Sequence, residues 1–238
     1  MKKISLKSLY VLAVKALRRL ARAVGLLEYL EKKRDNRLAL WVRSLFSIYD
    51  VNDMNHLDLP WWPFAVIGKV ENFIAERQGE IRVFEFGAGA STLWLARRCE
   101  TVISVEHDES FVRVLQPLLK ELKNVTLHGI PPRSMTSPLI ASARPGYQGY
   151  DFSDYVGSIS REKELFDLIV VDGRARNDCL RASVEKLAPG GMLLFDNTDR
   201  ERYSQALQEV PWRRQDFSGL TPALPLPSKS TVFIKPGN

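Results

Sequence analysis

The run Val83-Phe84-Glu85-Phe86-Gly87-Ala88-Gly89-Ala90-Ser91-Thr92, followed by Val102-Ile103-Ser104-Val105-Glu106, constrains the fold of this chain more than any other stretch. An apolar run, a glycine turn and a second apolar run ending in a carboxylate describe one strand, helix and strand. Gly87 and Gly89 let the backbone turn tightly and approach a ligand where a Cβ would collide. Ser91 or Thr92 is placed to cap a helix starting near Leu93. Glu106 follows Gly87 by 19 residues, the spacing at which a βαβ unit brings an acid to a ribose diol. The pattern predicts a nucleoside pocket at the end of parallel strands.

Charge narrows the guest. A dinucleotide fingerprint has a third glycine where Thr92 stands, and it seats a pyrophosphate that the carboxylate of Glu85 would repel. A ligand carrying a sulfonium and an ammonium would be attracted. On these residues the segment resembles motifs I and II of the class I S-adenosylmethionine (SAM)-dependent methyltransferases, in an EFGxGxST variant, and the resemblance runs from about Arg82 to Phe233. It implies SAM as cofactor, with Glu85, Phe86, Gly87, Ala88, Gly89, Ser91, Thr92, Glu106, His107, Asp172 and Gly173 as the residues around it.

The rest of the chain alternates as a doubly wound α/β sheet does. The patterns predict a helix over 109–122, strands over 124–128 and 167–172, a helix over 177–187, a strand over 191–196, a helix over 200–209 and strands over 212–218 and 229–235. The last two are joined directly through Pro222, Pro225 and Pro227, which implies an antiparallel hairpin. The expected fold is α/β: a Rossmann-like, mostly parallel seven-stranded sheet with an antiparallel C-terminal hairpin. The segment 129–163 is long for a loop, and Tyr147, Tyr150 and Tyr155 mark it as a cover over the substrate.

A second constellation is Val170-Val171-Asp172-Gly173-Arg174-Ala175-Arg176 with Phe195-Asp196-Asn197-Thr198-Asp199-Arg200. Both runs end buried strands, so Asp172, Asp196 and Asn197 are expected at the carboxyl edge of the sheet, where open α/β sheets bind ligands. The pattern is similar to bacterial methyltransferases, and Asp172 with Asp196 and Asn197 resembles the metal positions of catechol and caffeoyl-CoA O-methyltransferases. That resemblance implies Mg²⁺ or another divalent cation on these three residues. The other reading makes Asp172 an ion-pair partner of Arg174, Arg176 or Arg200, and Asp196-Asn197 a cap. The expected catalytic residues are Asp172, as base, with Arg174 and Arg200, whose forked guanidinium donors suit an anionic or polyhydroxylated acceptor. The third strand lacks the acid that meets adenine in this family, leaving His128 or backbone groups, and the Asn-Pro-Pro-Tyr type box of adenine and glutamine N-methyltransferases is missing, which disfavours amide or base-amine methylation. A hydroxyl acceptor on a sugar, glycan or other small metabolite follows; RNA- or protein-directed methylation and a noncatalytic SAM-binding module are the alternatives.

Ten of the 34 lysines and arginines fall in residues 1–34 against two glutamates, whereas the remainder carries 24 bases and 26 acids. The basic character belongs to an N-terminal arm, which argues against a domain-wide nucleic-acid surface. Within the arm Leu6, Leu9, Tyr10, Ala13, Leu17, Leu20, Val24 and Leu27 recur at helical spacing. It reads as a basic amphipathic helix that docks on its own fold or a second subunit, or lies peripherally on an anionic membrane. Leu9, Leu17, Leu20, Val24 and Leu27 are expected to pack on protein. Residues 1–60 form arm and polar connection, and 61–238 the methyltransferase-like domain, with Trp61 and Trp62 as a clasp between them or at the mouth of the site. No apolar run is long enough to span a bilayer or to form a signal-peptide core, and two cysteines make no disulfide framework, so the expected location is cytoplasmic, extending to the inner membrane surface.

Overall fold

The computed structural model describes residues 6–237, with side chains from Leu9 onward. The described chain opens with four helices: α1 (Leu6–Ala23), α2 (Leu26–Glu31), α3 (Arg37–Ser44) and α4 (Val51–Leu57). They are followed by α5 (Phe64–Ala75), β1 (Arg82–Phe86), α6 (Ala90–Ala96), β2 (Thr101–Glu106), α7 (Glu109–Leu119) and β3 (Val125–Gly129). The long segment then holds β4 (Arg133–Ser134), β5 (Tyr150–Asp151), α8 (Ser153–Val156) and a 3₁₀ turn. The chain ends with β6 (Phe166–Val171), α9 (Arg176–Lys186), β7 (Leu187–Asp196), α10 (Ser204–Glu209), β8 (Arg213–Gly219) and β9 (Ser228–Ile234).

Seven strands make one sheet in the order β3-β2-β1-β6-β7-β9-β8, and β4 pairs separately with β5. β1 is parallel to both β2 and β6, and β7 is parallel to β6. β9 runs antiparallel to both β7 and β8. The expected sheet and C-terminal hairpin are both present. The strand order reverses between β1 and β6, so the carboxyl ends of those two strands flank the topological switch point.

Alternation along β1 sends Val83 to one layer and Phe84 and Phe86 to the other. The first layer packs α4–α7 on the sheet around Trp62, Val70, Leu93 and Trp94; the second packs α8–α10 around Phe166, Cys179 and Leu207. Each fully buried large apolar side chain contributes about 1.5–3 kcal/mol. Pro63 precedes α5, and Trp62 meets Trp94 edge to face at 5.9 Å between ring centroids.

Residues 35–60 are not the polar connection that their composition suggests. Asn36 and Asp50 cap α3 and α4 through their side chains. Asp53 is buried: Arg43 meets both its oxygens at 2.9 Å, Ser47 donates to it at 2.5 Å, and Arg18 of α1 reaches it at 2.7 Å. Burial works against the Asp53 carboxylate, but the Arg43 and Ser47 bonds hold its pKa below the ordinary value. Val51, Met54, Leu57 and Leu59 belong to the sheet's own core, so the packed unit begins well before residue 60.

Candidate active site

The cleft opens at the switch point, with a volume of about 420 Å³. β1 ends at Phe86, and Gly87 continues at φ 97°, a conformation that side-chain-bearing residues rarely adopt. A Cβ on Gly87 would lie 2.6 Å from the Gly173 Cα, so the two turns face each other with no room for more than hydrogen. The Gly89 amide donates to Thr92 Oγ1 at 2.9 Å, and α6 begins at Ala90, three residues before the expected start.

Of the residues expected around a cofactor, Gly87, Ala88, Gly89, Ser91, Glu106, His107, Asp172 and Gly173 line the cleft. Phe86 is buried in the second apolar layer, and Thr92 is fully enclosed. Glu85 also lies beneath the cleft rather than in it. Its oxygens accept from Ser91, from Thr92 at 2.5 Å and from Ser104 at 2.6 Å. Alternation explains this placement, because Glu85 shares the face of β1 that packs on α6. Burial pushes the Glu85 carboxyl up to about 7, against the pull of these three hydroxyls. Its role here is to tie the glycine turn, α6 and β2 together, and it is not the direct ligand partner that its charge suggests.

Glu106 ends β2. One of its oxygens, Oε1, accepts from the His107 and Asp108 amides at 2.9 and 2.8 Å and contacts His107 Nδ1 at 2.5 Å. Among the described residues no hydrogen bond engages Oε2. His107 Nε2 meets the Tyr147 hydroxyl at 2.8 Å, which draws the long segment over the cleft. Tyr147 lines the cleft, as expected of a cover; Tyr150 packs on it, while Tyr155 is buried beneath Gly173. His128 lines a different depression, with Phe84 and Ile130, so it does not face the cleft.

Sequence reasoning missed Tyr49, Asp108, Phe111 and Arg144 as lining residues. Asp108 was legible as the N-cap of α7, since it lies two residues after the strand-end acid and just before a helical pattern. Trp61 lines the cleft against Gly89, whereas Trp62 lies in the core, so the tryptophan pair serves both expected roles.

Asp172 sits at the other wall. Arg176, buried at the start of α9, bonds Asp172 Oδ1 at 2.6 Å and the Asp172 carbonyl at 2.7 Å. The same guanidinium bonds the Gly173 carbonyl at 3.1 Å and the carbonyl of Asp196. Burial raises the Asp172 pKa, opposed by Arg176 and Arg174, so its carboxyl is a better proton acceptor than a solvated one. Asp196 does not reach the cleft: Ser230 donates to its Oδ1 at 2.5 Å and the Asn197 amide to its Oδ2 at 2.6 Å. Burial, then Asp172, push its carboxyl up to about 7. Asn197, in the left-handed region at φ 58°, does not line the cleft.

These residues do not fit a divalent cation. A fixed guanidinium lies between the ends of β6 and β7, and both Asp196 oxygens are already committed. Among the described residues no three His, Cys, Asp or Glu side chains converge on one point. Arg200 does not line the cleft and acts on Asp172 only through its charge; Arg174 does line it.

No protein-family model matches the chain, and no curated protein matches its sequence. Solved structures match the fold. An O-methyltransferase from Bacillus cereus in complex with SAH (S-adenosylhomocysteine) is similar at 17% identity and TM-score 0.54, over 81% of this chain and 90% of that one. TomG from Streptomyces achromogenes, an O-methyltransferase involved in tomaymycin synthesis and solved with SAM, is similar at 18% identity and TM-score 0.53, over 79% and 89%. An rRNA methylase from Streptococcus thermophilus is similar at 11% identity and TM-score 0.50, over 72% and 96%. The architecture is therefore the Rossmann-like methyltransferase fold.

Proposed function

We propose that the chain is a SAM-dependent methyltransferase acting on a hydroxyl of a small polar acceptor, such as a sugar or other metabolite. The carrying observation is the meeting of Gly87 and Gly173 across the switch point, with Glu106 on one wall and Asp172 on the other. Gly87, Gly89 and Ser91 would hold the methionine portion and Glu106 the ribose diol, with His107, Asp108 and Phe111 at the base end. When bound, SAM supplies a methyl group on a sulfonium. The chain's own part is to orient the acceptor beneath Trp61 and Tyr147, exclude water there, and receive the hydroxyl proton on Asp172, which Arg176 holds in place. Holding the reactants in line can supply about 7–11 kcal/mol of the barrier.

The O-methyltransferases among the fold relatives support this reading, as does the near balance of charge after residue 34, which favours a small acceptor over RNA. Arg176 between the strand ends supports proton removal by a carboxylate without a metal. Calorimetry with SAH and with NAD tests the reading: SAH should bind and NAD should not. Binding of NAD alone would overturn it. Once an acceptor is in hand, turnover should persist in excess chelator.

A further inference from the structure

We infer that a small chamber beside the cleft is an oxyanion subsite, and that the acceptor carries a phosphate or similar anionic group seated there. The inference rests on the cleft being the cofactor and acceptor site. The chamber holds about 80 Å³ and shares Arg144, Gly173 and Arg174 with the cleft. That is several times the roughly 10–15 Å³ that one water needs, so it admits a tetrahedral oxyanion but no second nucleoside. Its walls carry Arg144, Arg174, Arg176 and Arg202, together with the first turn of α9.

Most arginines around the fold are paired with acids, as Arg18, Arg43, Arg97, Arg98 and Arg181 are. Arg144, Arg174 and Arg202 take part in none of the ion pairs among the described residues. Arg174 Nε is buried with no hydrogen-bond partner, its Nη1 bonds the neighbouring Gly173 carbonyl at 3.3 Å, and its guanidinium stands over the Tyr147 ring at 5.7 Å from the centroid. Asp178, the acid on the wall, is held by Arg181 at 3.2 Å, and Asp172 is held by Arg176. Burial and then the Arg144 charge push the Arg174 pKa down, against the pull of Tyr147. Guanidinium forks and the amide end of an 11-residue helix are both complementary to phosphate oxygens. The shared Arg144 and Arg174 would let an anchored acceptor extend its uncharged part into the cleft.

The test uses the full chain saturated with SAH. Calorimetry compares glucose 1-phosphate, glucose and inorganic phosphate, in wild type and in Arg202→Gln and Arg144→Gln. Glucose 1-phosphate and inorganic phosphate should bind where glucose does not. Arg202→Gln, which lies outside the cofactor cleft, should weaken both by roughly tenfold, the loss expected for one charge-assisted bond, with SAH affinity unchanged. Glucose binding as tightly as its phosphate, or phosphate binding unaltered in both variants, would overturn the subsite. Phosphate binding without SAH binding would instead leave the subsite standing and remove the cofactor reading.

A separate observation carries a second inference: we propose that the outer face of α1 lies on an anionic membrane surface. Val14 and Ala21 of this helix are buried and Arg18 is tied to Asp50 at 2.6 Å, which fixes its orientation. Leu9, Leu12, Leu17, Leu20 and Val24 point away from the fold and are each more than half exposed. By helical spacing Lys15, Arg19 and Arg22 flank this apolar face. The arm's excess of eight positive charges favours an anionic leaflet and opposes a second copy, whose arm would bring the same charges. Lys2 and Lys3, and the side chains of Leu6 and Lys7, lie outside the described residues. Full chain should co-sediment with phosphatidylcholine vesicles containing phosphatidylglycerol and be released by salt. Leu12→Gln combined with Leu20→Gln should lose binding with the melting temperature preserved. No binding to anionic vesicles, binding that survives the double substitution, or a lipid-free dimer that the substitution dissolves would overturn it.

Discussion

The carboxyl edge of the sheet and the N-terminal helix treat their side chains in opposite ways. At the edge, Glu85, Asp196 and Arg176 are enclosed and Asp172 is half-buried at the cleft wall, and each is bound by partners contributed from other elements. On the N-terminal arm Leu20 of α1 and Val24 just beyond it stay largely exposed, at 65% and 77%. Buried polar groups without partners are costly, so an edge of this kind is over-determined and rigid. Exposed leucines in a row place no such demand on the fold; they forgo burial, which is tolerated where another surface supplies it.

The sharpest way to break the contrast is to remove its centre. Arg176→Ala would strip Asp172 of its direct ion-pair partner and deprive three carbonyls of a donor, costing about 3–5 kcal/mol. A thermal melt checks this, and an unchanged melting temperature would show the edge to be less determined than its bonding suggests. Gly87→Val comes next. A β-branched side chain at φ 97° against Gly173 costs about 1–3 kcal/mol of backbone strain. A side chain that fills the turn where the ligand would approach should weaken SAH binding by roughly tenfold or more in calorimetry.

Much of the edge was legible in the sequence because it is local. The glycine turn, Glu106 and the end of β6 each lie within a few residues of a strand terminus, and alternation and spacing place such positions directly. What escaped was long-range. The direction of the Glu85 side chain follows from its parity with Val83 on β1, a signal present in the sequence, but its three hydroxyl partners come from α6 and β2. The acids at positions 50, 53 and 58 read as a loop because polar density says nothing of an arginine elsewhere in the chain. Arg18, Arg43, Arg97 and Arg98 hold them in ion pairs. The arm failed in the other direction. Periodicity marked its apolar face, and of the five residues expected to pack on protein only Leu27 is buried, since an amphipathic pattern does not say what covers the face.

A smaller effect sharpens the comparison through pH. The folded-state pKa of Glu85 is about 7 against an ordinary 4.5, so the folded protein holds this proton more tightly than the unfolded chain. The associated stability is complete below pH 4.5 and is lost as pH rises through 7. Glu85→Gln cannot titrate, so the melting temperature of the variant relative to wild type should climb across that window. Asp196 titrates in both proteins and cancels from the difference. A difference that stays flat with pH would mean that Glu85 is not held neutral.

The smallest expected effect is on the arm. Leu20→Gln exchanges one exposed side chain for another on a helix with no neighbour on that side, and should move stability by no more than about 0.5 kcal/mol. Leu27→Ala, only seven residues later, removes a side chain that is 2% exposed and should cost about 2–5 kcal/mol. The two leucines belong to the same apolar series in the sequence, so the pair isolates burial from composition. Melts of both in lipid-free buffer decide the matter. Equal losses would mean that Leu20 is covered in solution, by the fold or by a second chain, and that the two regions differ less than their side-chain exposure indicates.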